Sequence, residues 1–327
     1  MLCASKRLLR IQYASDLHLE LVDKTPFQPI LKPIAPVLVL AGDIGRPDRR
    51  SYADFLHYCS RNWAAVFVIA GNHELYNSMS ADKWRYLLPY NMHTAEERLA
   101  MCENIADKFP NVQFLNRRRA DYGGIAFLGA TLWTDTYGVE YEAHRMNDYR
   151  MIATERDANG STRPLRVADT QDWHVMDRSW LTAEIAACEE AGQPAVVITH
   201  HMPTFELVSP KYRHHGDLNR YFASACDDLI RGPVRAWIAG HSHTGRTIHR
   251  GTITCTLNPM GYPGEAGTGY CSELFVDVDT EVGRGMDARE PALILAAEAE
   301  ATAEEAESAA PPVTRSRAGS SQSLEWV

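Results

Sequence analysis

The feature that most restricts the fold of this chain is a series of short, uninterrupted apolar segments, each of which ends in polar residues. Segments of this length, rich in β-branched residues, are typical of strands that are buried on both faces of a sheet. Six of them are at residues 8–14, 37–41, 66–70, 125–133, 195–199 and 235–239. Their alternation with helical patterns predicts an α/β fold.

Apolar residues at helical spacing lie between several of these segments. The two clearest sets are Leu99, Cys102, Ile105 and Phe109, and Trp173, Met176, Trp180, Ala183 and Ala187. Spacings of three and four place each set on one helix face, which we expect to pack against the core. Residues 246–278 predict consecutive strands, with tight turns at Gly251 and around residues 261–269. The predicted fold class is therefore α/β, with two packed mixed β-sheets flanked by helices in an α/β/β/α sandwich.

Two segments depart from this pattern. Residues 135–170 form a polar insertion with a turn at Asn159 and Gly160, and loops of this size are usually either functional or disordered. From Arg284 onward Ala, Glu, Ser and Pro dominate the composition, which predicts a disordered tail that forms a helix only transiently, at residues 293–309. We therefore predict one domain at residues 1–283 and a tail at residues 284–327.

Charge and cysteine content narrow the class of protein further. The 327 residues carry a formal net charge of −9, which gives no reason to expect general affinity for nucleic acid or for an anionic membrane. The seven cysteines are scattered without a Cys-x-x-Cys pair, which favours free, buried thiols in a reducing compartment. The sequence shows neither a signal-peptide pattern nor an apolar run long enough to span a membrane. We predict a cytoplasmic protein.

The polar residues that follow the apolar segments are mostly Asp, His and Asn. They are Asp16, His18, Asp43, Asn72, His73, His200, His201, His241 and His243. The carboxyl ends of strands in an open α/β sheet share one edge, so side chains far apart in sequence can converge there. In Asp-x-His and His-x-His, positions i and i+2 project to the same side of an extended segment. Carboxylate, imidazole and amide ligands together favour Mn, Fe, Zn or similar metals.

Glycine precedes three of these positions, at Gly42, Gly71 and Gly240. We expect each to allow a sharp turn or a close approach that a Cβ would obstruct. Taken singly the motifs are weak, because Asp16 could form a capped turn and Asn72 could cap the following helix. Their order and their common position after predicted strands favour metal binding.

The motifs DLH, GD, GNHE, TH and GHSH occur in this order and resemble the calcineurin-like metallophosphoesterase superfamily, whose pattern is D-x-H, G-D, G-N-H-[DE], a lone H and G-H-x-H. The resemblance covers residues 8–280. It implies that one metal is held by Asp16, His18, Asp43 and His243. It also implies that Asp43 bridges to a second metal, which is completed by Asn72, His200 and His241.

The same resemblance implies a role for His73 as the general acid that protonates the leaving oxygen. Of the adjacent pair His200 and His201, we favour His200 as the ligand because it directly follows a predicted strand. His201 would then support a ligand or face the substrate. We also expect Glu74 to be the hydrogen-bond partner of a histidine.

The predicted mechanism uses two divalent or trivalent metal ions. Ions about 3.5 to 4 Å apart can clamp the attacking and leaving oxygens of an in-line displacement, and a bridging water becomes a hydroxide nucleophile near neutral pH. Two divalent ions, two aspartates and one hydroxide leave a charge of about +1 to face a phosphate. In the insertion, Arg150 is a candidate phosphate clamp and Tyr149 and His144 are candidate contacts, although a solvated loop is the alternative.

The favoured function is hydrolysis of a small phosphodiester or a nucleotide rather than of a phosphoprotein. Alternatives among enzymes are a phosphomonoesterase, a protein phosphatase and a nuclease, but the only basic cluster, at residues 117–119, is typical of a solvated face. A scaffold protein that keeps the fold without catalysis is the alternative from another class, although such proteins usually lack one of these ligands. A structural zinc site is disfavoured because the cysteines are scattered.

Overall fold

A computed structural model describes residues 7–22, 27, 30–77 and 92–281, all within one compact unit, Met1–Glu281. The predicted tail at residues 284–327, with its transient helix, lies outside the described residues. The strands are β1 (Leu8–Ala14), β2 (Val37–Ala41), β3 (Ala65–Ile69), β4 (Val112–Phe114), β5 (Arg118–Tyr122), β6 (Ile125–Gly129), β7 (Ala153–Arg156), β8 (Thr162–Pro164), β9 (Ala195–Ile198), β10 (Val234–Ala239), β11 (Arg246–Arg250), β12 (Ile253–Leu257) and β13 (Phe275–Asp279). The helices are α1 (Arg50–Asn62), α2 (Ala95–Ala106), α3 (Asp148–Met151) and α4 (Val167–Glu190). Short 3₁₀ segments lie at His73–Leu75, Glu140–Arg145, Phe205–Leu207, Pro210–Tyr221 and Asp227–Leu229.

Two mixed sheets form the centre of the described fold. The first has the strand order β13-β1-β2-β3-β4, with β1 to β4 parallel and β13 antiparallel to β1. The second has the order β11-β12-β10-β9-β6-β5, with parallel inner strands and an antiparallel strand at each edge. Strands β7 and β8 form a separate antiparallel pair within the insertion.

Apolar side chains fill the space between the two sheets and cover both outer faces. Phe67 of β3 and Phe127 of β6 stack between the sheets with ring centroids 4.1 Å apart. On the outer side of the first sheet, Leu38 and Leu40 of β2 pack with residues of α1 and α2, whereas Val39 faces the second sheet. Because successive side chains of a buried strand enter two cores, the strand is apolar at every position. The second sheet is covered by α4, which confirms the predicted α/β/β/α arrangement.

The predicted buried face of α4 is confirmed only in part, because Trp173 and Trp180 pack partly buried against apolar clusters whereas the other predicted residues do not. Met176 is 50% exposed, and Ala183 and Ala187 are also exposed. The helix instead buries Thr170, His174, Asp177, Leu181, Ile185 and Cys188. Two of these are polar residues with specific partners, His174 with the carbonyl oxygen of Trp133 and Asp177 with the guanidinium of Arg117. A search for apolar periodicity passes over such residues and therefore selects a neighbouring face.

The prediction for residues 246–278 holds in part. Gly251, with a φ of 58°, forms the turn between β11 and β12, as expected. Residues 261–269 contain the predicted tight turn, in which the backbone N–H of Glu265 donates to the carbonyl of Tyr262 at 2.9 Å. They belong to a long connection that leaves the second sheet after β12 and reaches β13 in the first sheet. This connection passes beside the end of β1, where the backbone N–H of Met260 donates to the carbonyl of Ser15 at 3.0 Å.

The other local predictions concern the insertion and the cysteines. Residues 135–170 are ordered into α3 and the β7–β8 pair, with Gly160 at a φ of 82° in the predicted turn. Within the described part of the chain, Cys59, Cys102, Cys188, Cys226 and Cys255 are free and buried. Cys271 is free but exposed. No helix among the described residues is both long and apolar enough to cross a membrane.

Candidate metal centre

Polar residues from five strand ends meet at one edge of the two sheets. Ligand atoms of Asp16, His18 and His243, which we call the first cluster, lie within 4.8 Å of one another. Those of Asp43, His200 and His241, which we call the second cluster, meet the same condition. The carboxylates and imidazoles of both clusters are buried, apart from the partly buried His243.

Asp43 lies between the two clusters. Its Oδ2 is 4.0 Å from Nε2 of His18, and its Oδ1 is 3.5 Å from Nε2 of His200. The backbone N–H of His73 donates to the same Oδ1 at 2.8 Å. Each carboxylate oxygen of Asp43 therefore faces a different cluster, which is the arrangement that a bridging ligand requires.

The backbone at this edge is strained. Positive φ angles occur at Asp16 (53°), His18 (46°), Asp43 (53°), His241 (71°) and His243 (45°). Residues other than glycine rarely adopt this conformation, and such strain is concentrated at functional sites. Hydrogen bonds hold the strained loops together, since both carboxylate oxygens of Asp16 accept from the backbone N–H of His241, at 3.0 and 3.1 Å.

The glycines before the ligands allow this close packing. A Cβ at Gly42 would lie 2.6 Å from Nδ1 of His200 and 2.6 Å from the backbone nitrogen of Gly71. A Cβ at Gly71 would collide with the carboxylate of Asp43. A Cβ at Gly240 would lie 2.8 Å from the carboxylate of Asp16. The prediction that a Cβ would obstruct these positions is confirmed.

Glu74 does not pair with a histidine, so that prediction is wrong. Its buried carboxylate accepts from the backbone N–H groups of Gly71 at 2.7 Å, Asp43 at 2.9 Å and Ile44 at 2.7 Å. Burial and the negative charge of Asp43 raise the pKa of Glu74 to about 8, although hydrogen bonds from the backbone N–H groups lower it. Glu74 therefore fastens the loop after β2 to the loop after β3, and so holds Asp43 in place.

His200 and His201 have different surroundings. Nδ1 of His200 donates to the carbonyl of Ala41 at 2.9 Å, which leaves its Nε2 facing Oδ1 of Asn72 at 3.0 Å. Burial lowers the pKa of His200, but Asp43 outweighs this and raises it to about 10. His201 lies with its ring beside His241, and burial lowers its pKa to about 3. His200 therefore belongs to the second cluster and His201 lies next to it.

Two carboxylates that the sequence analysis missed contact histidines of the first cluster. Nδ1 of His243 is 2.7 Å from Oε2 of Glu265, and Nδ1 of His18 is 3.6 Å from Oε1 of Glu20. A carboxylate on one ring nitrogen makes the other nitrogen a stronger metal ligand and fixes the ring. Glu20 follows His18 by two residues in DLHLE, so its position was a usable signal. Glu265 lies in a loop, and its position in the sequence gave no such signal.

His73 lies at the edge of the first cluster. Its Nδ1 is 2.8 Å from Oε1 of Glu20, and its Nε2 is 4.0 Å from Oδ2 of Asp43. Burial lowers the pKa of His73, but the charge of Asp43 and the hydrogen bond to Glu20 outweigh it and raise the pKa to about 9. The hydroxyl of Tyr262 lies 3.2 Å from its Nε2. His73 thus lies with its Nε2 directed toward the clusters.

The insertion reaches this site through a residue that was not predicted. Of the three candidates, His144 contacts the carbonyl of Tyr141, Arg150 donates to the side chain of Asn147, and Tyr149 bonds to Thr170. Their role in substrate binding stays a prediction. The neighbouring Asp148 is buried and its Oδ1 accepts from Nδ2 of Asn72 at 2.9 Å.

The donor set fits metal ions. Nε2 of His241 is buried without a hydrogen-bond partner among the described residues. Burial, followed by the charge of neighbouring histidines, lowers the pKa of both His18 and His241, which favours the neutral imidazole that a metal ion requires. Nε2 of His18 lies 2.9 Å from Nε2 of His243. Two ligands of one ion with bonds of about 2.1 Å lie about 3.0 to 3.4 Å apart, depending on the angle between the bonds, so this spacing is close to that of ligands of a shared cation.

The fold and this donor set are those of metal-dependent phosphoesterases. The family model described as calcineurin-like phosphoesterase matches residues 9–245. The chain belongs to the calcineurin-like phosphoesterase family, and it is a hydrolase of phosphoric ester bonds with a candidate metal site. Both the resemblance seen in the sequence and the prediction of an enzyme are confirmed, and a phosphate ester is the implied substrate class.

Two similar proteins extend over most of the chain. An uncharacterized protein of Acanthamoeba polyphaga mimivirus is 26% identical over 292 residues, which cover 84% of this chain and 97% of that protein. The crystal structure of phosphopantetheinyl hydrolase from Mycobacterium tuberculosis aligns with a TM-score of 0.57 and 18% identity, covering 86% of this chain and 99% of the other. This second likeness shows the shared fold.

Proposed function

We propose that this chain hydrolyses a small phosphodiester or a nucleotide, using two metal ions at the two clusters. The proposed ligands are Asp16, His18, Asp43 and His243 for the first ion and Asp43, Asn72, His200 and His241 for the second. The observation that carries the proposal is the position of Asp43, whose two oxygens face separate groups of histidines. The donor types favour Mn, Fe, Zn or similar metals.

The chain's own residues shape the charge of the site. Bound there, a pair of ions supplies positive charge to the phosphate and activates water for attack on phosphorus. The carboxylates of Asp16, Asp43, Glu20 and Glu265 offset most of that charge, so the phosphate is bound by direct contact with the ions rather than by a general positive field. Glu74 keeps Asp43 between the clusters through its bonds to the backbone.

His73 is the proposed general acid. Its imidazolium is held by Glu20 through Nδ1, which leaves Nε2 to donate a proton to the departing oxygen. A group that supplies a proton in this way usually accelerates the reaction by about 100- to 10,000-fold. The hydroxyl of Tyr262, 3.2 Å from the same Nε2, helps to fix the direction of this donor.

The basic cluster at residues 117–119 supports a small substrate rather than nucleic acid. Each arginine is paired with a carboxylate: Arg117 with Asp177, Arg118 with Glu103 and Arg119 with Asp121. Arginines neutralised in this way provide little of the counterion release that drives binding to polynucleotides. A nuclease is therefore a weaker proposal than an enzyme for small diesters.

The test is an assay of metal-stripped protein reconstituted separately with Mn, Fe, Zn, Ni and Mg. Bis-p-nitrophenyl phosphate and p-nitrophenyl phosphate report diester and monoester hydrolysis, followed by a panel of nucleotides and small diesters that includes one with a phosphopantetheinyl group. We expect metal-dependent hydrolysis, faster for the diester, and its loss in Asn72→Ala. A higher rate on the monoester would reassign the enzyme as a phosphatase. Inactivity of metal-loaded protein on every substrate would favour the scaffold alternative.

A further inference from the structure

A buried hydrogen-bond triangle connects the insertion to the second cluster. Oδ1 of Asp148 accepts from Nδ2 of Asn72 at 2.9 Å and from the hydroxyl of Tyr76 at 2.7 Å. Nδ2 of Asn72 also donates to the hydroxyl oxygen of Tyr76 at 2.9 Å. All three side chains are buried, so water does not compete strongly for these bonds.

Asn72 needs such partners because the oxygen and the NH₂ group of its amide are nearly equal in size and can exchange places. Only the carbonyl oxygen can bind a cation, and a half-turn of the amide would present its NH₂ group instead. The single hydroxyl proton of Tyr76 is used on Asp148, so Tyr76 can only accept from Asn72. Both partners are therefore acceptors toward Asn72, and they direct its NH₂ group away from the second cluster. Oδ1 of Asn72 is left 3.0 Å from Nε2 of His200.

Asp148 can hold Asn72 in this orientation whether or not its carboxyl group is ionised. Both bonds end on the same oxygen, Oδ1. A proton on Oδ2 would leave Oδ1 as a carbonyl acceptor, with the same two donors. An asparagine at this position could present its own carbonyl oxygen in the same way, which makes Asp148→Asn an informative variant.

Contacts outside the triangle hold the insertion in the position that brings Asp148 to Asn72. The backbone N–H of Asn77 donates to the carbonyl of Met151, at the end of α3, at 2.8 Å. Leu75 and Tyr76 pack with Ile152 and Leu165 in one buried apolar cluster. Asp148, the first residue of α3, is thus held against the segment that follows Asn72 by contacts outside the triangle.

We propose that Asp148 is a positioning residue that fixes the amide orientation of Asn72, with Tyr76 as the bridge, and so completes the second metal position. The inference rests on the proposed function, because it assumes that Asn72 binds a cation there. It assigns to the insertion a role in metal binding, which differs from the substrate contacts predicted for its other residues. The second position is complete only when the insertion is docked.

The test measures Mn²⁺ binding to the full chain without substrate. Metal-stripped Asp148→Ala, Asp148→Asn, Tyr76→Phe and Asn72→Ala are titrated by calorimetry, and the spin-coupled Mn²⁺ pair is followed by EPR. Asp172→Ala, which removes an exposed carboxylate from α4, is the matched control. We expect Asp148→Ala to weaken one of two Mn²⁺ equivalents by about 10- to 100-fold and to abolish the coupled signal. Asp148→Asn should restore most of both, and Asp172→Ala should match the parent.

A double variant separates positioning from a general structural effect. Because Asp148 acts through Asn72, Asn72→Ala/Asp148→Ala should bind Mn²⁺ no more weakly than Asn72→Ala alone. Additive losses would overturn the inference, as would two parent-like equivalents in Asp148→Ala. If Asp148→Ala does not fold, as judged by thermal melting without metal, Tyr76→Phe decides: weakening of the same equivalent supports the inference and parent-like binding overturns it.

The results of these experiments bear separately on the proposed function and on the positioning role of Asp148. A parent protein that binds two Mn²⁺ ions but hydrolyses none of the substrates refutes the proposed function and leaves the positioning role standing. A parent that binds no metal refutes both. A parent that is active, with Asp148→Ala retaining both equivalents, refutes the positioning role alone.

Discussion

The two clusters use similar ligands but are supported in different ways. In the first cluster, His243 and His18 each have a carboxylate beside the second ring nitrogen, from Glu265 at 2.7 Å and Glu20 at 3.6 Å. In the second, His200 donates to a backbone carbonyl. Carboxylate partners make imidazoles stronger ligands, so we expect the first cluster to bind its cation more tightly. The second cluster depends instead on the docking of the insertion.

Asp43 has one carboxylate oxygen facing each cluster, so its replacement should have the largest effect. In Asp43→Asn the side chain keeps its shape but loses its charge and one of its two acceptor oxygens. We expect hydrolysis to fall by at least on the order of 1,000-fold and both metal equivalents to weaken. Rate measurements and metal titration of the same preparation check this. Weakening of only one equivalent would show that Asp43 belongs to a single cluster.

His73 lies beside the first cluster without being one of its proposed ligands. His73→Asn should therefore lower kcat for a substrate with a poor leaving group by about 100- to 1,000-fold. A nitrophenolate needs no proton to depart, so its hydrolysis should fall much less. The metal content should equal that of the parent, which serves as the control. An equal loss on both substrates would contradict a role in protonating the leaving oxygen.

Glu265→Gln tests the support of the first cluster directly. Loss of the negative charge beside Nδ1 of His243 should weaken one Mn²⁺ equivalent by about 10-fold. Calorimetric titration of metal-stripped protein measures it, and the equivalent that is weakened in Asp148→Ala should stay unchanged. Glu273→Gln removes a carboxylate that forms an exposed ion pair with Lys32 and provides the matched control. If Glu265→Gln and Asp148→Ala weaken the same equivalent, the distinction between the clusters fails.

The sequence revealed those parts of the site whose geometry follows directly from the sheets. Asp16, Asp43 and His200 come immediately after buried parallel strands, so their convergence follows from strand order and could be expected. The positions of the residues that support these ligands could not be expected from strand order. Asp148 and Glu265 lie in long connections, where the course of the backbone depends on packing between distant segments. Their carboxylates carry no periodic signal, and no local rule places them beside Asn72 or His243.

The same limit explains the error in α4. Its buried face includes His174 and Asp177, which are buried because Trp133 and Arg117 offer them specific partners. Those partners come from a different part of the chain, from the segment after β6 and from the residue before β5. Burial of a polar residue is favourable only when such a partner is present. Apolar periodicity can therefore locate a helix while misassigning the face that it buries.

Glu20 lies beside both His18 of the first cluster and His73, the proposed general acid, and its replacement should have the smallest but most specific effect. The carboxylate raises the pKa of His73 through a bond of 2.8 Å. Glu20→Gln removes that charge, so the pKa of His73 should fall. Because the protonated form of His73 donates, activity is lost as pH rises through this pKa. In a pH profile measured at saturating Mn²⁺, the alkaline limb is the range where kcat declines as pH rises. In Glu20→Gln this limb should therefore lie on the order of one pH unit lower than in the parent.

Two further measurements assign that shift to His73. In the His73→Asn background the alkaline limb should be absent, and Glu20→Gln should then change nothing in the shape of the profile. The Mn²⁺ affinity of Glu20→Gln reports its effect on His18, because that imidazole is 3.6 Å from the same oxygen. An unmoved limb together with a weakened Mn²⁺ equivalent would mean that Glu20 serves the first cluster alone. The high pKa of His73 would then depend on the negative charge of Asp43. Proton donation by His73 would in that case respond to changes at Asp43 and not to changes at Glu20.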